Sequence, residues 1–144
     1  MENKNIVTVK QELNSSPESV WKAITDLSEM HEWYFKELKS FKPEPGFKTE
    51  FVMRFDEKVY PHVWEVTEVI PGKKISYRWT YRGFAGDSVV SWELFSENGG
   101  TKLVLTHTGI ETFPKDNPDF SYESCSAGWN LIVCKNLKKY LDSK

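Results

Sequence analysis

The sequence predicts an α+β fold, a curved antiparallel β-sheet of about six strands wrapped around one long C-terminal α-helix, with two short helices after the first strand. Three patterns predict it: a helical apolar period over the last stretch, a period of two through the middle, and a compact helix start just after the first strand. From Asp119 to Leu141, placed at 100° per residue, Tyr122, Cys125, Trp129, Ile132, Val133, Leu137 and Tyr140 gather on one side. Glu123, Lys135, Lys138 and Lys139 take the other.

Two residues in this helix need a reason. Gly128 costs about 1 kcal/mol relative to Ala inside a helix. Asn136 falls in the apolar stripe, where an amide needs a partner. Either Gly128 lets backbones pass closely and Asn136 bonds a neighbouring strand, or the stripe faces a partly open cavity with Asn136 on its wall.

In chain order, Ile6 to Leu13 alternates as a first strand, with Val7, Val9 and Leu13 on one face. Ser16 as N-cap, Pro17 at the first helical position and Glu18 in the first turn then start a short helix, whose buried side is Val20, Trp21, Ile24 and Leu27. A second helical turn is expected over Ser28 to Tyr34, and Lys42-Pro43-Glu44-Pro45-Gly46 is turn chemistry.

Phe47, Thr49, Phe51, Met53 and Phe55 share the apolar face of the next strand, and Asp56-Glu57-Lys58 reads as a hairpin tip. Val59 to Ile70 is a strand in which Pro61 argues for an edge or a bulge. Lys74 to Tyr81 places Ile75, Tyr77, Trp79 and Tyr81 together, and Ser88 to Phe95 places Val90, Trp92 and Leu94 together. Asn98-Gly99-Gly100 is a hairpin turn into Thr101 to Gly109, where Leu103, Leu105 and His107 share a face. A bent sheet and a straight helix do not mate everywhere, and the gap between them is where a ligand site forms.

The 144 residues suit one domain, 1–144, able to bury about 68–70% of its unfolded surface. Net charge is −2 and only three arginines occur, so no basic stripe tracks a nucleic acid backbone. Nine Phe, six Trp and six Tyr are many for one small domain, and the polar tips of Tyr and Trp suit a lined hollow as well as a solid core. No signal-peptide run and no stretch of ~20 apolar residues is present, so membrane insertion is not expected and a cytoplasmic location is. Cys125 and Cys134 are expected on opposite sides of the helix, about 13 Å apart along its axis, too far to bond each other.

The order of elements and the residues at its ends resemble the START-like (SRPBCC) superfamily and its helix-grip fold. The nearer likeness is to the family named for the C-terminal domain of the heat shock protein 90 ATPase activator. It is carried by Ser16 to Asp26, Trp33-Tyr34, Pro45-Gly46-Phe47, Glu65-Val66 through Pro71, Tyr77-Arg78-Trp79, Thr101 to Gly109, and Gly128-Trp129 with Leu137 and Tyr140-Leu141, and it covers essentially the whole chain. The resemblance implies a hydrophobic-ligand binder, a chaperone regulator or a polyketide cyclase. The eukaryotic activator also has a separate N-terminal domain that grips the chaperone. No counterpart is expected here, since the first strand begins within the first ten residues.

No cofactor, metal or phosphate site is expected: His31, His62 and His107 are far apart, and neither GxGxxG, GxxxxGK nor GxSxG occurs. The ligand-binding set expected is Phe51, Met53, Trp64, Tyr77, Trp79, Trp92, Leu105, His107, Trp129, Val133 and Asn136, with no catalytic residue assigned. His107 reads either as a hydrogen-bonded core residue or, beside Tyr77 or Asn136, as the one proton carrier available for catalysis. Expected partners are a small hydrophobic molecule or a heat shock protein 90-type chaperone, with the chain a monomer or homodimer.

Overall fold

In a computed structural model the chain is described over residues 5–55 and 57–144, Phe55 by its backbone alone. Met1 to Lys4, within the polar N-terminal stretch, and Asp56, at the predicted hairpin tip, lie outside the described residues.

Six strands form one curved antiparallel sheet: β1 (Ile6–Leu13), β2 (Lys48–Phe55), β3 (Lys58–Ile70), β4 (Lys74–Tyr81), β5 (Ser88–Glu97) and β6 (Gly100–Thr108), in the order β1-β6-β5-β4-β3-β2. Alternation sets which face is buried: in β5 Val90, Trp92 and Leu94 point inward, and in β6 Leu103, Leu105 and His107 do. Two short helices follow β1, α1 (Pro17–Thr25) and α2 (Leu27–Trp33). Ser16 caps α1 by accepting from the Ser19 amide, and Asp26 caps α2 by accepting from the Glu29 amide. The Trp33 indole donates to the Ala23 carbonyl, which fixes the angle between these two helices.

Pro61 is not at a bulge, but it stands where β3 pairs with β2 on one side and has no β4 pair on the other, which is locally an edge. It lies in β3, between β2 and β4, and the bulge falls between Val66 and Glu68. Its carbonyl accepts from Arg82 N, just past the last β4 pair, His62 with Tyr81. A missing N–H there withholds nothing from the ladder, because β4 has already ended.

The C-terminal helix starts at Tyr122, three residues later than the sequence reading places it. Pro118–Phe120 is instead a separate 3₁₀ turn, and Ser121 caps the helix by accepting from the Ser124 amide. The helix runs as α3 (Tyr122–Asn130), a π-helical stretch over Leu131–Leu137, and α4 (Lys138–Asp142). Trp129, Val133, Leu137 and Leu141 are buried. Its end is fixed to α2, where Tyr140 Oη donates to Glu29 Oε1 over 2.9 Å and Lys144 Nζ does so over 2.7 Å. No helix of the described residues is long and apolar enough to cross a membrane.

A candidate ligand pocket between sheet and helix

The concave face of the sheet and α3 do not close on each other along their whole length. A hollow of about 370 Å³ is left between the Tyr60–His62 segment of β3, Trp79 and Tyr81 of β4, His107 of β6, and the Ser124–Ile132 face of the helix. Phe35, from the segment after α2, and Asp119 and Phe120, from the 3₁₀ turn, complete its lining. Its volume falls within the range of small-molecule sites. Gly128 is on this wall, and a Cβ built there meets nothing within 4 Å. The close-passage reading of Gly128 is therefore incorrect: the missing side chain leaves space open.

His107 is bonded on both ring nitrogens. The Trp129 indole can only donate, so its 2.9 Å contact makes His107 Nδ1 an acceptor. The proton is then on Nε2, which donates to Ser88 Oγ over 2.8 Å, and Ser88 passes its own hydroxyl proton to the Trp79 carbonyl over 2.6 Å. Burial pushes the His107 imidazole down to about 4, so it is neutral at pH 7. A neutral ring with both nitrogens committed holds structure rather than carrying protons. Neither Tyr77 nor Asn136 is its partner.

His62 differs on one nitrogen. Its Nδ1 lies 2.9 Å from the Tyr60 carbonyl, which can only accept, so Nδ1 carries the proton and Nε2 is a bare acceptor. Burial pushes this ring down to about 4 as well. Across the sheet from it, Tyr81 accepts the Trp79 indole proton over 2.8 Å, and among the described residues its own hydroxyl proton has no acceptor. At one side of the hollow Tyr60 Oη donates to Asp119 Oδ2 and Lys58 Nζ donates to the same oxygen over 3.0 Å. These two bonds hold the Asp119 carboxyl below its usual range. Cys125 also lines the space, its thiol pushed up to about 11 by burial.

Of the residues expected at a site, the structure brings Trp79, His107 and Trp129 to the hollow. The others lie elsewhere. Trp64 stacks on Tyr77 at 4.7 Å, Phe51 stacks on His62 at 4.8 Å, and Trp92 donates to Tyr77 Oη over 2.9 Å. Leu105 and Val133 are fully buried in the packed core, and Met53 is half-buried against it. Asn136 is half-buried in the π-helical stretch, away from the hollow, and among the described residues its side chain has no hydrogen bond. Tyr60 and His62 were missed although they alternate with Trp64 on one strand face. Phe35, Asp119 and Phe120 come from irregular segments, for which no periodicity exists.

A six-stranded curved sheet gripping a C-terminal helix, with short helices after the first strand, is the START-like helix-grip fold. The chain belongs to the Activator of Hsp90 ATPase homolog 1-like protein family, whose model matches residues 14–142. No curated protein sequence matches it significantly. Among solved structures it is similar to DynU16, a protein in the dynemicin biosynthetic locus, with TM-score 0.77 and 22% identity over 98% of this chain and 48% of that one. This chain thus spans about half the length of DynU16. It is also similar to protein CV1439 from Chromobacterium violaceum, with TM-score 0.77 and 21% identity over 96% of this chain and 97% of that one. The Aha1 dimer from Colwellia psychrerythraea aligns with TM-score 0.70 and 18% identity over 94% of this chain and 95% of that one.

Proposed function

We propose that this domain binds a small, largely apolar molecule in the hollow between sheet and helix. The observation that carries this reading is the open space beside Gly128, an aromatic-walled volume of about 370 Å³ kept free by a residue that costs helix stability. A domain under no demand for that space gains by filling it. No catalytic residue is assigned, because His107, the one proton carrier proposed from sequence, is held by Trp129 and Ser88.

The test is thermal unfolding against a panel of fatty acids, sterols and neutral aromatic compounds, beside native mass spectrometry of the protein as purified. A ligand at a hundredfold its Kd adds about 2.7 kcal/mol, which raises Tm by roughly 5–10 °C in a domain of this size. No shift with any class, and no co-purifying mass, removes the reading.

A second reading is supported by the family description and by the similarity to the Aha1 dimer: the domain acts on a heat shock protein 90-type chaperone. Its test is the ATP turnover of the host chaperone with and without saturating domain. Unchanged turnover eliminates it.

A further inference from the structure

We propose that the pocket selects a neutral aromatic molecule bearing a hydroxyl group, which donates to His62 Nε2 and accepts from the Tyr81 hydroxyl. This rests on the ligand-binding reading above and names the class of ligand. His62 and Tyr81 are directly opposed on β3 and β4, with ring centroids 4.7 Å apart, and both line the hollow. One presents a lone pair and the other a hydroxyl proton, and among the described residues neither is used by the chain. His62 is only 5% exposed, yet its Nε2 is not among the sealed unpartnered atoms, which in the described residues are Glu29 Oε2 and Trp64 Nε1. That nitrogen therefore keeps some accessible surface, and the hollow is a space that His62 lines. A hydroxyl is both donor and acceptor, so a single group satisfies both.

Charge and shape narrow the class further. No lining residue is cationic at neutral pH, since both histidines are neutral, and the Asp119 carboxylate at one side is already paired with Lys58 Nζ. A carboxylate ligand can accept from Tyr81 but has no proton to give His62 Nε2, and no lining side chain offers it a counter-charge. Trp79, Trp129 and Phe120 are among the lining residues, and aromatic walls suit a flat aromatic guest. A cavity of about 150 Å³ holds one benzene ring, so the space here suits two fused rings.

The experiment titrates 2-naphthol, naphthalene and 2-naphthoate into the wild-type chain, His62→Phe and Tyr81→Phe, following tryptophan fluorescence, with circular dichroism confirming that each variant is folded. Losing one of the two hydrogen bonds is expected to lower the naphthol-to-naphthalene affinity ratio roughly tenfold in each variant relative to wild type. Naphthoate should bind at least about tenfold more weakly than naphthol. If both neutral probes bind with a ratio that neither substitution changes, or if naphthoate binds as tightly as naphthol, the hydroxyl assignment is overturned while the pocket reading stands. If neither neutral probe binds any folded protein, both fall.

Discussion

Trp129 on the C-terminal helix donates its indole proton to Nδ1 of His107 on β6 over 2.9 Å, and the two rings stand at 90°. Both residues line the hollow, so the bond that ties helix to sheet is also part of its wall. Trp129→Phe keeps an aromatic ring but leaves His107 Nδ1 without a donor. A loss of about 2–4 kcal/mol is expected from the orphaned acceptor and the smaller ring. It should be read as a lower denaturant midpoint at unchanged m-value. A change under about 0.5 kcal/mol means that the bond does not hold the two elements together.

The two buried histidines give stability a particular acid dependence. Each has a folded pKa of about 4, below the unfolded 6.5. The unfolded chain therefore binds more protons between those values, and stability falls as pH drops through that window. It is complete above about 6.5, and each ring contributes up to about 3 kcal/mol that is gone by pH 4. The carboxyls of Asp26 and Asp119 are held below their ordinary 3.8, so their losses come at lower pH. Unfolding free energies at pH 7.5, 6, 5 and 4.5 should decline steadily, and His62→Phe should remove about half the decline. A flat profile contradicts burial of the neutral rings.

At the 3₁₀ turn, Tyr60 Oη donates to Asp119 and accepts from Asn117 Nδ2 over 3.1 Å. The neighbouring Lys58–Asp119 pair is about half exposed, so it adds little by itself. Tyr60→Phe is expected to cost under about 1 kcal/mol globally. It should nonetheless speed amide exchange over residues 117–121, which open locally once the hydroxyl is gone. Unaltered exchange there means the Tyr60 hydroxyl does not hold the turn.

The sheet was readable because most of its strand residues alternate. Trp64, Trp79, Trp92 and Leu105 are buried where a period of two puts them. The start of the last helix was misplaced because the apolar stripe, which begins at Tyr122, does not mark where the helix is capped; a cap depends on one side chain and one amide. Gly128 and His107 carried the right question without its answer. Whether a glycine opens a space or admits a neighbour depends on what stands opposite, and here nothing does. His62 was legible in principle, since it shares a strand face with Trp64 two residues on. Phe35, Asp119 and Phe120 reach the hollow through loops and turns, so only the folded chain brings them together.

The most direct measurement fills the space. Gly128→Leu puts a side chain where a Cβ meets nothing within 4 Å, and it replaces a poor helix former with a good one. N-phenyl-1-naphthylamine, a neutral apolar fluorophore, is then titrated into wild type and variant, with Tm recorded for each. A saturable one-to-one fluorescence rise is expected for wild type and its loss for the variant, whose Tm stands level or higher. Equal binding by both proteins contradicts the pocket.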